Sequence, residues 1–404
     1  MKLARLGLLA LTAVLACDQP TQPPATSSAA PAPVGETAAA VAGFNVRNLG
    51  TLGGQFSFAF GLNELPAVVG DAGLPAGTVR AFLWREGRGM RGLGTLGGDN
   101  SFGNDITDQG EVVGYSEIER GSGQVHGFVW APGSGLRDVG TLGGDNSIAS
   151  GINNRREVVG VSETVKGTVR AFLRSGSRMR SLGTLGGNYS EATDVNAATQ
   201  VVGLSDIGPR GPFHAFLWTA ERGMEDLGTL GGAASIAFGV SATGVVVGGS
   251  ETADGTIEAF IWTRGGGMRS LGELGGGVGE AHAANSHRRV IGQGVTPGGA
   301  TRPFLWTPER GLRRLPTLGG TFGDAQDINE FGAIAGGSTT AAEQERATLW
   351  VPTAGPLATA ADTEEEAAPA AGRRAVDLAL CAMRETQAGR ARFFNAAKRA
   401  CLRR

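Results

Sequence analysis

An excess of positive charge is missing from this chain: 36 Lys and Arg stand against 38 Asp and Glu, a net charge of −2. That balance excludes the basic footprint of a nucleic-acid binder. The motifs of common catalysis are absent too. There is no Gly-x-Ser-x-Gly elbow, no phosphate-binding loop, no dinucleotide fingerprint and no Asp box, so no cofactor is expected. Past residue 17 no apolar run reaches the roughly 20 residues that span a bilayer. Cysteine occurs three times and histidine four times in 404 residues. Glycine is the opposite case, 68 of 404, far above the usual level of about 7 %. It recurs at fixed offsets between apolar runs, which reads as turn chemistry and not as disorder.

The offsets define a repeat. Taking one leucine from each Thr-Leu-Gly-Gly-type turn gives Leu52, Leu96, Leu142, Leu185, Leu230, Leu274 and Leu318, with spacings of 44, 46, 43, 45, 44 and 44. That period suits four-stranded propeller blades, whose repeats run to about 40–45 residues. Helical repeats of this length need 3.6-residue amphipathic patterns, and Gly-studded β-branched segments do not supply them.

Four strands are predicted per unit. The first follows the Gly-Gly turn and has one set of small alternate positions, such as Ser147, Ala149 and Gly151, or Ser190, Ala192 and Asp194. Its fifth residue after Gly-Gly is always Ala or Gly, which places it innermost, where blades crowd at a ring axis. It ends on a turn-former: Asn63, Thr107, Asn153, Asn196, Ser241, Asn285 or Asn329. The second strand is Val-Val-Gly or a relative. The third carries Phe and Trp two residues apart, on one face, and all six tryptophans fall in this slot; the third unit has Arg174 there. Burying a Trp removes on the order of 200 Å², an upper bound of about 5 kcal/mol, so these residues are expected in a blade-to-blade core. The fourth strand is Met-Arg-x-Leu or a variant. Its first copy, Val46 to Leu49, precedes the first full unit, and the last unit has none. The fold class expected is therefore all-β, a seven-bladed propeller over residues 43–354 closed by the N-terminal strand. A linear solenoid would more often carry atypical capping units.

With Phe213-His214-Ala215-Phe216 the units resemble the HAF repeats of bacterial extracellular repeat proteins. The resemblance covers about three-quarters of the chain and implies export, with no established chemistry. Only the fourth unit has the literal His-Ala-Phe. The His slot elsewhere holds Arg80, His126, Arg170, Glu258, Arg302 or Arg346, which argues against a histidine metal array.

The ends carry different expectations. Residues 1–17 form a basic and apolar leader, and Val14-Leu15-Ala16-Cys17 resembles the lipobox of bacterial lipoproteins, with Cys17 as the acylated residue. Residues 18–42 are a Pro/Ala/Ser tether unable to bury enough surface to fold. Residues 355–372 read as an Ala/Glu linker and 373–404 as a basic helical hairpin. That last segment has nine Arg and Lys against two acids, net +7, which leaves −9 for the rest of the −2 total; an anionic surface is one partner it suits. Cys381 and Cys401 remain as an even pair in an oxidising compartment and are expected to form a disulfide.

No catalytic or metal-binding set is expected. The pair His282 and His287 beside Glu280 falls short of the three or four close ligands zinc takes. Asp99-Asn100 and Asp145-Asn146 suit turn capping better than calcium binding. The candidate binding rim is the set of turns and variable positions around the inner strands: Gln55, Phe56, Asp99, Asn100, Asp145, Asn146, Asn188, Tyr189, Glu191, Glu280, His282, Thr321 and Asp324. Their types change from unit to unit on a fixed framework, as at a binding rim, although unselected loop drift gives the same pattern. The function expected is a non-enzymatic, lipid-anchored binding or scaffold module of the cell envelope, facing an unknown envelope protein or glycan. The alternative is a propeller glycan hydrolase or lyase with acids in the channel mouth.

Overall fold

In each unit the Val-Val-Gly and Ala-Phe-Leu-Trp runs are β-branched or aromatic and bounded by Gly-, Asn- or Asp-containing turns, so they extend and pair antiparallel. The computed structural model describes residues 43–353 other than residue 210. The leader, tether, linker, basic tail, lipidation at Cys17 and the Cys381–Cys401 pair lie outside the described residues. Among the described residues every regular element is a strand, and the strands form seven four-stranded antiparallel sheets. The molecule is a seven-bladed propeller. Blade 1 comprises Ser57–Leu62, Ala67–Gly73, Val79–Arg85 and Gly89–Gly92, and five further blades repeat that order. Blade 7 contains Gly319–Ile328, Ile334–Thr340 and Glu345–Pro352, with Phe44–Asn48 in its outermost position. There Phe44 lies opposite Pro352 and Asn48 opposite Thr348, and the Leu49 N–H donates to the Ala347 carbonyl at 2.9 Å.

The first strand of every blade faces the axis and touches the first strands of its neighbours. The strict alternation of small residues along it is not kept. Each inner strand has a register shift just after its Ala or Gly, for example between Ala149 and Gly151 and between Ala192 and Asp194. This is a β-bulge, which adds one residue and bends the strand. The bend brings a carbonyl of the inner strand against the Val-Val-Gly glycine: a Cβ on Gly203 would sit 1.9 Å from the Glu191 carbonyl oxygen. The repeated glycine of the second strand is thus a requirement of close approach. In blades 3, 5 and 7 the inner strand also begins earlier than the pattern suggests, at Gly143, Gly231 and Gly319.

Blades are joined by side chains bonded to backbone. The Ser101 hydroxyl donates to the Gly94 carbonyl at 2.6 Å and accepts the Ala81 N–H of blade 1 at 3.0 Å. Ser57, Ser147, Ser190 and Ser235 repeat the device. At Gly323 the serine is missing, and the residue it would serve is Pro303, which has no N–H to satisfy and whose Cδ lies 2.7 Å from a Cβ at Gly323. The turn asparagines form a second belt. Asn63 donates to the Thr107 carbonyl of blade 2, Asn153 to Asn196, Asn196 to Ser241 and Asn285 to Asn329. Asn329 of blade 7 in turn donates to Asn63 of blade 1 at 3.3 Å.

The apolar core lies between sheets. Phe82, Phe128, Phe172, Phe216, Phe260 and Phe304 are fully buried, and Thr348 fills the slot in blade 7. The tryptophans lean onto the preceding blade: Trp218 packs with Leu173 and Leu182, and Trp350 with Leu305 and Leu315. The cluster between blades 2 and 3, where Arg174 replaces tryptophan, is built from aliphatic residues around Phe172.

Candidate binding surface at the ring axis

The bulge decides what faces the axis. Seven side chains occupy the inserted position, Phe60, Asn104, Ser150, Thr193, Phe238, His282 and Gln326, no two neighbours alike. Three of them reach across to a carbonyl of the next blade. Asn104 Nδ2 donates to Ala149 at 2.8 Å, Thr193 Oγ1 to Ala237 at 2.9 Å, and His282 Nδ1 lies 2.9 Å from the Ala325 oxygen.

The residue after the bulge is Asp105, Asp194 and Asp327 in blades 2, 4 and 7. Each carboxylate accepts its neighbour's N–H and one from the next blade: Asp105 from Ile152, Asp194 from Val240 and Asp327 from Leu62. The receiving blades carry Gly151, Gly239 and Gly61 at the same position. All three carboxyls titrate above the usual carboxylate range. Burial is the main cause, and for Asp105 the charges of Asp327 and Asp194 add to it. Asp327 is pushed up to about 7, by burial and by Asp194, against the hydrogen bond from Leu62.

Between blades 6 and 7 the structure gathers Glu280, His282 and Asp324. His282 Nδ1 lies 3.1 Å from Asp324 Oδ1, and its Nε2 lies 3.9 Å from Glu280 Oε2. Glu280 and Asp324 are completely buried, and the His282 side chain is 9 % exposed. Gln293 donates to Glu280 at 3.2 Å and Gln326 to Asp324 at 2.6 Å, while Phe238 meets the imidazole edge-on at 5.2 Å. Burial disfavours the imidazolium, but Asp324 and then Glu280 outweigh it and raise its pKa to about 10. The two carboxylates favour the charged ring, which works against a general-base role at neutral pH. A smaller cluster lies in blade 4, where Tyr189 donates to Glu191 at 2.7 Å. Burial raises Glu191 to about 7 against that bond, and burial followed by Glu191 holds the Tyr189 phenol well above its ordinary value. Among the described residues no three His, Cys, Asp or Glu side chains are placed to hold a metal ion.

The remaining rim positions serve the turn framework. Asn100 Oδ1 accepts the Val79 N–H of blade 1, and Asn146 Oδ1 accepts that of Val125 in blade 2. The backbone N–H groups of Asp99, Asp145 and Asn188 donate to Glu117, Glu163 and Asp206. Asp99 also pairs with Arg120 at 3.0 Å, and Thr321 bonds to Glu343. Gln55 and Phe56 offer their carbonyls to Arg346 and to Gly73. His287 lies away from His282, 3.3 Å from Glu330, and His126 and His214 pair with Asp138 and Asp226 on their own hairpins. Sequence reasoning passed over Asn104, Phe238, Gln326 and the three aspartates. Only the alternation of acid and glycine at 105, 151, 194 and 239 pointed to them.

No family model matches the chain, and no curated protein matches it. Solved structures do resemble it. TolB from Acinetobacter baumannii is 13% identical with a TM-score of 0.44, over 74% of this chain and 68% of that one. A lectin from Burkholderia pseudomallei is 11% identical with a TM-score of 0.44, over 75% and 97%. A gluconolactonase from Xanthomonas campestris is 10% identical with a TM-score of 0.42, over 80% and 99%.

Proposed function

We propose that this chain is a non-enzymatic binding or scaffold module, exported and anchored to the bacterial envelope through lipid at Cys17, which offers its ring surface to a protein or glycan partner. The observation that carries the reading is the set of seven bulge side chains, six residue types on seven matching frames with no two neighbours alike. A constant scaffold with changing side chains at one position is the arrangement of a recognition surface. In this reading Phe44–Asn48 serves as the closing strand, and the basic tail adds contact with an anionic surface.

The convergence of Glu280, His282 and Asp324 favours the second reading, a glycan hydrolase or lyase. Against it stand the burial of both carboxylates and their tendency to keep the imidazole charged. The test uses the full mature protein. Incubated with envelope glycans, it is expected to retain a partner through washing and to release no new reducing ends. Release of reducing ends that disappears in His282→Gln would establish the enzyme instead. For the anchor, Cys17→Ala is expected to move the protein from the membrane to the soluble fraction, and unchanged partitioning would remove the lipid from the proposal.

A further inference from the structure

The outer hairpin of blade 3 departs from the other blades in two ways. In blades 1, 2, 4, 5 and 6 the residue after tryptophan pairs with a glycine, namely Gly89, Gly135, Gly223, Gly267 and Gly311. In blade 3 Ser175 pairs with Arg178, and only Gly176 and Ser177 make the turn, one residue fewer than between Thr219 and Gly223. The shorter hairpin stands beside the full-length hairpin of blade 4, and a groove of about 640 Å³ lies between them.

Three guanidinium groups line the groove: Arg155, Arg178 and Arg180. Arg180 is laid over the Trp218 ring at 4.7 Å, and Arg155 bonds to the Ala197 carbonyl at 3.4 Å. Among the described residues none of the three has a carboxylate within ion-pair distance. Of the two acids present, Glu221 is exposed, and Glu157 is buried and already takes bonds from Asn153 at 2.7 Å and Thr199 at 2.8 Å. Thr199 holds that bond from a left-handed φ of 58°, the turn conformation that Arg156 and Arg288 share in blades 3 and 6 and that Gly110, Gly244 and Gly332 take in blades 2, 5 and 7. Exposed Ala198 and Ala220 add a small apolar strip to the lining, with buried Leu173 behind them.

We propose that this groove binds an acidic saccharide, its carboxylate held by the arginines and the C–H face of its ring laid on the apolar strip. Arginine presents a planar fork that meets a carboxylate with two hydrogen bonds. This names a ligand class within the binding-module reading and rests on it, at a site separate from the ring axis. The test is calorimetric titration of the full-length protein with trigalacturonate, neutral maltotriose and inorganic phosphate. Trigalacturonate is expected to bind at submillimolar concentration and to weaken with added salt. Affinity is expected to drop at least tenfold in Arg178→Gln and in Arg155→Gln, both exposed positions, with the fold checked by the melting temperature of each variant. Maltotriose binding with equal affinity, no trigalacturonate binding, or equal affinity in both variants would overturn the site. Phosphate competing with trigalacturonate at equal affinity would overturn the saccharide and leave a simple anion groove. Capture of a different partner by protein that ignores trigalacturonate would overturn this inference and leave the module reading standing.

Discussion

His282 has two acids within reach and almost no water. Removing a charge from a buried network strands its partners, at a cost of about 3–5 kcal/mol. Replacing His282 with Gln is therefore expected to lower the stability measured in urea by about 3 kcal/mol. Its pH dependence has a definite sign. A histidine raised from 6.5 to about 10 in the folded protein stabilises it fully below pH 6.5 and loses that contribution as pH rises through 10. Glu191, raised from 4.5 to about 7, acts in the same direction in a lower window: its stabilising protonated form is complete below pH 4.5 and lost as pH passes 7. Glu191→Gln keeps an acceptor for Tyr189 and removes the titration. Its melting temperature should fall less between pH 5 and pH 8 than that of the parent protein. A parallel fall in both proteins would mean that Glu191 does not titrate in this window.

Elements are held to one another by backbone groups that only particular side chains can satisfy. Ser101 serves two of them, a carbonyl of its own turn and an N–H of blade 1. Alanine there leaves both buried and unmet, and each such loss costs about 1–3 kcal/mol; urea denaturation of Ser101→Ala should show a drop of about 2 kcal/mol. The Gly203→Ala change is harsher in kind, because its Cβ would meet backbone and not a movable side chain. Overpacking costs about 1–3 kcal/mol, so a loss of at least 2 kcal/mol is expected. An unchanged midpoint would show that the inner strand can straighten its bulge.

For the whole molecule the join between first and last blade matters most. Blade 1 and blade 7 meet through Ser57 and Ala347, Leu62 and Asp327, and Asn63 and Asn329, residues 265 to 290 apart. Loop-closure entropy grows only with the logarithm of that separation, about (3/2)RT ln n, so even modest pairing offsets it. Deleting residues 41–49 removes the outermost strand of blade 7 and bares the edge of Glu345–Pro352 to other chains. That variant should melt well below one lacking residues 18–40. Equal melting temperatures would show that Phe44–Asn48 adds nothing to the ring.

Blade number and strand order were legible because they rest on local signals. A 44-residue period, a Gly-Gly turn, a β-branched run and a Phe-x-Trp pair each act within a few residues of themselves. The buried character of Phe216 and Trp218 follows from their size and from a single sheet face. The bulge was not legible, since Ala192-Thr193-Asp194 contains nothing that separates a bulged strand from a regular one. Once the bulge exists, its inserted residue leaves the pairing and every later side chain changes face, so His282 reaches Asp324 and Asp194 reaches Val240, each more than 40 residues away. Glu280, His282 and Asp324 could be named from the sequence as rim positions, but not as one buried charged network. The groove beside Arg178 shows the same division. Its one-residue deletion is visible in the repeat spacing, but the space it opens depends on the neighbouring blade. Local chemistry determined the strands, and packing between strands distant in sequence decided which side chains could act together.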